Sequence, residues 1–184
     1  MSDHHHESHG SHELSFWRKY IFSTDHKVIG LQYGITALCF LFFGFCLMML
    51  MRWQLAYPGE PIPFISDVWP GFGKFVDWIR SAVLKISGSS YADETLPGGV
   101  MLPEFYNQLG AMHGTIMVFM GVVPLAVGAF GNYIVPLQIG AVDMAFPKLN
   151  MGSYWSFFVG GVVMLASFFA PGGAANSGWT SYSP

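Results

Sequence analysis

The chain has 184 residues, of which 52% are apolar and only 10% are charged, and its formal net charge is −3 at pH 7. Soluble domains do not combine so few charges with so many apolar and aromatic side chains, so this composition indicates a membrane protein. The near-neutral balance and the lack of a basic cluster exclude a typical nucleic-acid-binding protein. We therefore expect the lipid bilayer, and no nucleic acid, among its partners.

Residues 1–16 form a polar tail that is rich in histidine. A disordered, solvated tail is the favoured interpretation of this composition. Weak binding of Zn, Ni or Cu by the interrupted histidines is the alternative.

Three segments lack Asp, Glu, Lys and Arg and are long enough to cross a bilayer. They are predicted as spanning helices at residues 28–51, 107–139 and 151–170. The fold class is therefore all-α, a polytopic transmembrane helix bundle. The middle segment is too long for a perpendicular helix and is expected to tilt or to extend past the membrane. The first exceeds the apolar part of a signal peptide, so we expect it to be retained.

A long loop at residues 53–103 separates the first two spans. Apolar residues between positions 72 and 86 recur at helical spacing, which predicts a short amphipathic helix on the membrane surface or on a partner.

Arg18, Lys19 and Lys27 precede the first span. These three cations predict a cytoplasmic amino terminus, which places the long loop outside.

The first span contains two cysteines, Cys39 and Cys46. They are two helical turns apart, about 10 Å along the axis, which is too far for a disulfide. We predict that both are buried thiols.

Small residues and prolines are frequent in the second span. Gly121, Gly128 and Gly131 leave room for the close approach of another helix or of a flat cofactor, and packing alone would explain them. Pro124 and Pro136 remove backbone donors, so a bend is expected.

Three polar residues stand out at the spans, and each has an interpretation that requires no specific function. His113, near the start of the second span, is equally compatible with a hydrogen-bonded packing residue and with a metal or heme ligand. Asp143 follows that span and is either a helix cap or interfacial acid, or a proton-conducting group. Arg52 ends the first span, where an arginine can simply extend to the membrane surface.

Five motifs carry a specific resemblance to a known family. They are STDHKVIG (23–30), MHGTIMVF (112–119), GNYIVPLQIGAVDMAFPKLN (131–150), SYW (153–155) and GWTSY (178–182). In this order they resemble the first three helices of subunit I of the heme-copper terminal oxidases, specifically of the cytochrome c oxidase type. The resemblance covers nearly everything after Phe16 except the loop at about 60–102. It implies a bundle of roughly twelve helices, of which this chain would be an amino-terminal fragment within a domain at residues 17–184.

The resemblance assigns several residues to a low-spin heme. His113 matches one of its two axial ligands, and two imidazoles give a closed six-coordinate iron that suits electron transfer. Arg52 matches an arginine that hydrogen-bonds the formyl group of heme A, which favours heme A over other hemes. Tyr106 matches a tyrosine beside the propionates, and Gly178 and Trp179 match a segment that closes over the outer side of the heme.

The resemblance also implies a proton path. Asp143 matches the acid at its inner mouth, and Asn132 and Asn150 match two asparagines that hold its water. A carboxylate at a membrane surface gathers protons, and amides that both donate and accept can order a water chain.

The electron donor follows from a comparison within the family. Members that oxidise quinol bind it with an arginine, an aspartate, a histidine and a glutamine, and the matching positions here hold Phe43, Leu47, Phe105 and Gln108. Only Gln108 fits that set, so cytochrome c is the favoured donor and quinol the alternative. Gln54 replaces a glutamate that contributes to a Ca or Na site in the family, which puts that site in doubt.

As a whole, the resemblance implies part of the catalytic subunit of an O2-reducing, proton-pumping cytochrome c oxidase. We expect a bacterial-type plasma membrane location and assembly with subunits II and III. The ligands of the high-spin heme and of copper B lie beyond Pro184 in the family, so a longer native chain is expected and the fragment alone is not expected to be active. A free-standing three-helix heme-binding or assembly protein is an alternative. An ion channel is disfavoured because the spans contain no Asp, Glu, Lys or Arg that could line a selective pore.

Overall fold

Three long helices form the structure of the described residues. A computed structural model describes residues 16–60, 62, 100–170 and 173–181. In these ranges the regular elements are all helical, and three are long and apolar enough to cross a membrane. The amino-terminal tail up to residue 15 and the amphipathic helix predicted at 72–86 lie outside the described residues.

The helices are α1 (His26–Ala56), α2 (Pro103–Ile139) and α3 (Pro147–Ala166). A single 3-10 turn, Ser167–Phe169, continues α3, and a wide turn, Trp17–Ile21, precedes α1. The three predicted spans are confirmed, and each helix begins a few residues earlier than predicted.

Helix α1 begins where side chains replace the missing backbone partners of its first turn. The Asp25 carboxylate accepts the Lys27 amide N–H at 2.7 Å, and the Ser23 hydroxyl oxygen accepts the Asp25 amide N–H at 3.2 Å. Both are the usual means of satisfying amides at a helix start. The Gln32 side chain also donates to the carbonyl oxygens of Tyr20 and Ile21, which ties the preceding turn to the side of α1.

Helix α2 contains 37 residues, which corresponds to a length of up to about 55 Å. This exceeds the hydrocarbon core of a bilayer, about 30 Å, as its sequence predicted. Its centre is wound in wide π-type turns at Ile116–Val122 and Pro124–Gly131. A proline lacks an N–H and crowds the preceding turn, and wider turns relieve that crowding. The helix ends at Gly140, whose φ of 69° is left-handed and favours glycine.

Helices α1 and α2 pack against each other in antiparallel directions. Gly30 of α1 lies against Ala129 of α2, whereas Gly44, further along α1, lies against Met117, earlier in α2. We call the half of the bundle that contains His26 the His26 half, and the opposite half, which contains Ala56, the Ala56 half.

Helix α3 packs parallel to α1. The Tyr33 hydroxyl is 3.0 Å from the Ser153 hydroxyl, and Phe40, two turns later in α1, contacts Gly161, two turns later in α3. The three helices therefore alternate in direction, and α1 contacts both of the others.

Each half has its own apolar cluster. The Ala56-half cluster contains nine buried residues: Phe40, Leu47, Ile62, Met101, Leu109, Met112, Ile116, Met120 and Ala174. The His26-half cluster is smaller and contains Ile29, Tyr33, Ala129 and Tyr154.

The glycines of α2 differ in what they face. A Cβ atom at Gly121 would lie 2.5 Å from a Leu41 methyl carbon, and one at Gly128 would lie 2.5 Å from the Tyr33 ring. Helix packing thus explains these two glycines. A Cβ at Gly131 would meet nothing within 4 Å, so Gly131 faces open space.

The predicted burial of the cysteines is wrong for Cys39. Its side chain is exposed on the surface of α1, and Cys46 is half-buried. In a bilayer an apolar side chain gains little from burial between helices, because lipid tails are equally apolar. The apolar character of the segment therefore did not determine which face of α1 is covered.

Candidate functional site

His113, the predicted heme ligand, lies in the last turn of the first α-helical part of α2. Its Nδ1 atom is 2.8 Å from the backbone carbonyl oxygen of Gly44 in α1. A carbonyl oxygen can only accept a hydrogen bond, so Nδ1 carries the proton and donates it. In the neutral ring Nε2 then keeps its lone pair, which is the state of a histidine that binds a metal.

Two other predicted heme contacts lie in the same half as His113. Tyr106 precedes His113 by seven residues, which places both on one face of α2, and it packs half-buried against the Ala56-half cluster. Arg52 follows Gly44 by eight residues, about 12 Å along α1, and its side chain is exposed. Because α1 and α2 are antiparallel, Arg52 and Tyr106 lie toward the same end of the bundle.

Gly178 and Trp179 come from the segment after α3. Gly178 has a φ of 69°, a left-handed conformation that favours glycine. The Trp179 ring lies 5.8 Å from the ring of Phe119, edge to face. Phe119 follows His113 by six residues in α2, so the segment reaches the part of α2 next to the histidine.

The predicted proton-path asparagines share a cavity in the His26 half. The cavity has a volume of about 550 Å³, is open to its surroundings, and lies between all three helices. Its walls are mostly apolar, but four side chains supply polar atoms: Tyr33, Asn132, Asn150 and Ser153. It extends along α2 from Val135 to Val123, twelve residues or about 18 Å.

Each of the two asparagines has a buried polar atom without a partner among the residues that the structure describes. Asn132 is 6% exposed, and its amide nitrogen donates to the Gly128 carbonyl oxygen at 2.7 Å. Within the described residues, its Oδ1 atom and the Nδ2 atom of Asn150 have no hydrogen-bond partner. Buried polar atoms are normally satisfied by protein or by ordered water, so both sites suit bound water.

Asp143, the predicted mouth of the path, lies in the turn between α2 and α3. Its side chain is exposed, and its carboxylate accepts the amide N–H of Met144 at 2.7 Å. Met144 in turn lines the cavity. Helix α3 begins after Phe146 without a side-chain cap, so Asp143 is not the cap of α3.

Sequence reasoning missed three residues that the tertiary structure brings to this half. The Tyr33 hydroxyl hydrogen-bonds the Ser153 hydroxyl, which also donates to the Asn150 carbonyl oxygen at 2.7 Å. His26 is 3% exposed and donates through Nδ1 to the Asn132 carbonyl oxygen at 2.9 Å. A sequence signal existed for Ser153, which follows Asn150 by three residues and thus shares its helix face.

Comparison with known proteins places this arrangement in a family. Residues 28–184 match the family model described as cytochrome c and quinol oxidase polypeptide I. The chain belongs to this family. It is 38% identical over 175 residues to a Synechocystis protein named cytochrome c oxidase subunit 1, covering 95% of this chain and 24% of that protein.

Two further relatives are also named as cytochrome c oxidase subunits. A protein of the same name from Corynebacterium efficiens is 39% identical, with coverage of 88% of this chain and 21% of the relative. The alternative cytochrome c oxidase subunit 1 of Bradyrhizobium diazoefficiens is 36% identical, with coverage of 94% and 23%. The chain thus spans about a quarter of the length of these oxidase relatives.

Membership of the oxidase polypeptide I family agrees with the all-helical fold. Together with three helices suited to spanning a membrane and with bacterial relatives, it identifies a multi-pass plasma-membrane protein.

Among the residues that the structure describes, no three His, Cys, Asp or Glu side chains form a group that could hold a metal ion. Among the described residues, His113 is the one histidine of the Ala56 half.

Proposed function

We propose that this chain supplies the first three helices of the catalytic subunit of a terminal respiratory oxidase. The enzyme would take electrons from cytochrome c, pass them through a low-spin heme to a heme-copper centre, reduce O2 to water and pump protons. The family match and the relatives named cytochrome c oxidase subunit 1 support this reading. Oxidase subunits II and III are the proposed protein partners.

The observation that carries the proposal is the hydrogen bond from His113 Nδ1 to the Gly44 carbonyl oxygen. It holds the ring in the tautomer whose Nε2 can bind iron, and second partners of this kind are typical of metal-bound histidines. This hydrogen bond uses Nδ1 and leaves the lone pair of Nε2 for a ligand. His113 therefore fits the role of an axial ligand of a low-spin heme.

Heme, when bound through two imidazoles, supplies a one-electron carrier without an open coordination site. We assign Arg52 to the heme A formyl group, Tyr106 to the propionate side, and Gly178 and Trp179 to the cover over the heme. The location of Arg52 and Tyr106 toward one end of the bundle and the contact of Trp179 with Phe119 support these assignments. The high-spin heme and copper B would be held by parts of the subunit other than these three helices.

We also propose that the cavity of the His26 half is the entry of a proton path. Asp143 would gather protons at the surface, and Asn132 and Asn150 would hold the water that carries them along α2. The support is the cavity itself, its contact with Met144 next to Asp143, and the amide atoms that have no partner within the described part of the chain. Tyr33 and Ser153 join this path as further hydrogen-bonding groups.

We place the His26 half on the cytoplasmic side. Among the described residues, this half carries the cations Arg18, Lys19, Lys27 and Lys148 and the acids Asp25 and Asp143. The Ala56 half carries one cation and two acids: Arg52, Glu60 and Glu104. An excess of lysine and arginine favours the cytoplasmic side, which is the side from which the proposed path through Asp143 would take up protons.

Cytochrome c is preferred to quinol as the donor because the positions that bind quinol in the family are apolar here. Leu47 is buried in the Ala56-half cluster, and Phe43 and Phe105 pack against it. These side chains offer no charge and no hydrogen bond to a quinol hydroxyl. The remaining position, Gln108, is buried in α2.

The test replaces His113 by alanine in the full chain and uses His26→Ala as the matched histidine control. We expect His113→Ala to abolish the low-spin heme band in reduced-minus-oxidised spectra, together with O2 consumption driven by reduced cytochrome c. His26→Ala should keep the heme band. An unchanged low-spin band in His113→Ala would refute the assignment of His113 as a heme ligand. O2 consumption driven by quinol but not by cytochrome c would show that quinol is the electron donor.

A further inference from the structure

Gly44 supplies the carbonyl oxygen that accepts the hydrogen bond from His113, and its backbone lies unusually close to α2. The residue is buried. A Cβ atom at position 44 would lie 2.7 Å from Met117 Sδ, 3.1 Å from Met117 Cγ and 3.6 Å from Ile116 Cγ2. Carbon and sulfur atoms do not approach to 2.7 Å without displacement. Any other residue at this position must therefore move Met117 or separate the helices.

The hydrogen bond and the close approach occur at the same residue and depend on each other. The bond joins residues that are 69 positions apart in the chain, so its length depends on how closely α1 and α2 approach each other. At 2.8 Å it is within the normal range, and a helix shift of less than 1 Å would break it. Small residues at membrane helix interfaces allow such close approach of backbones.

We propose that Gly44 is a positioning residue for the heme: its missing side chain lets α1 approach α2 so that its carbonyl oxygen fixes the proton of His113 on Nδ1 and the ring in one orientation. The inference rests on the proposed role of His113 as an axial ligand. A carbonyl that accepts the ring proton makes the other ring nitrogen more basic. A more basic ligand stabilises the oxidised iron, so Gly44 keeps the reduction potential of the low-spin heme low.

Other glycines provide a matched control. Gly34 lies on the same helix, and a Cβ there would be 3.5 Å from Ala129 Cβ, which is ordinary contact. Gly34→Ala therefore adds the same methyl group to α1 without forcing the helices apart. Met117 offers the complementary change, because its shortening removes the atoms that a Cβ at position 44 would meet.

The experiment compares Gly44→Ala, Gly34→Ala, Met117→Ala and the double variant Gly44→Ala with Met117→Ala in the full chain with its heme bound. The readouts are the midpoint potential of the low-spin heme and its EPR g-values, which report ligand basicity and ring orientation. We expect Gly44→Ala to raise the potential, shift the g-values and weaken heme retention by about ten-fold. Gly34→Ala should leave both readouts unchanged, and the double variant should return them to those of the unaltered protein.

The outcomes separate the two proposals. The role of Gly44 would be overturned if Gly44→Ala left the midpoint potential and the g-values unaltered, or if adding Met117→Ala did not reverse the shift. In either case the loss of the heme in His113→Ala would still support the axial ligand. Retention of the low-spin heme by His113→Ala would instead overturn the axial ligand. If Gly44→Ala does not assemble, the double variant decides, because Met117→Ala makes room for the added methyl group at position 44. Native readouts in the double variant support the proposal, and altered readouts refute it.

Discussion

The two halves of the bundle surround their candidate site residues differently. In the Ala56 half, His113 donates to a single backbone carbonyl beside a large apolar cluster. In the His26 half, four polar side chains line an open cavity, and amide atoms of Asn132 and Asn150 have no partner among the described residues. An electron carrier needs a fixed ligand in apolar surroundings, whereas a proton path needs groups that exchange hydrogen bonds with water. The difference between the halves fits the proposed heme ligand in the Ala56 half and the proposed proton path in the His26 half.

The largest expected effect that separates the halves comes from Asp143→Asn. Loss of the carboxylate should slow proton uptake by up to about 10²-fold, at the low end of the contribution of a positioned proton-transfer group, and should leave the low-spin heme spectrum unchanged. Flow-flash or vesicle proton-uptake measurements on the assembled enzyme would test this. Glu104→Gln is the matched control, because Glu104 is also exposed but lies in the other half. Unchanged proton uptake in Asp143→Asn would remove this residue from the path.

The complementary change in the Ala56 half is Leu47→Ala. Leu47 is 5% exposed in the apolar cluster, and we expect its truncation to lower the free energy of unfolding by about 2 kcal/mol, at the low end of the range for leucine truncation. Leu38→Ala is the control, since Leu38 on the same helix is 55% exposed. Thermal melting of the heme absorbance in detergent measures the difference. Equal melting of both variants would show that the cluster does not hold α1 against α2.

A third prediction concerns the packing of α2 in the His26 half. Gly128→Ala places a methyl group against the Tyr33 ring, and we expect a loss of about 1–2 kcal/mol in the free energy of unfolding. Gly131→Ala serves as the control because its Cβ meets nothing within 4 Å. Thermal melting and proton uptake, measured together, tell whether the displaced ring also disturbs the cavity. A Gly128→Ala variant as stable as Gly131→Ala would contradict the tight contact.

The smallest expected effect is that of Tyr33→Phe. Removal of the hydroxyl breaks the hydrogen bond to Ser153, which should lower the free energy of unfolding by about 1 kcal/mol. Tyr133→Phe is the control, because Tyr133 is an exposed tyrosine of α2. Melting temperatures of the two variants in the same detergent provide the comparison, and identical values would mean that the Tyr33–Ser153 bond does not stabilise the bundle.

The pattern of charges and apolar residues determined much of this protein. Uninterrupted apolar length predicted all three helices, because a chain in lipid must satisfy its backbone internally and helices do so within one segment. The ordered motifs around His113 and Asp143 predicted the family, which the comparisons bear out. The roles of the individual site residues stay predictions.

Only the tertiary structure decided which residues meet across the helices. The pairing of His113 with Gly44 joins residues 69 positions apart, and that of Tyr33 with Ser153 joins residues 120 positions apart. Hydrophobic periodicity could not reveal these pairs, because membrane helices are apolar on all sides and their packing depends on local shape. The same reason explains the error at Cys39: apolarity places a residue in the membrane, whereas steric fit determines whether it faces a helix or lipid.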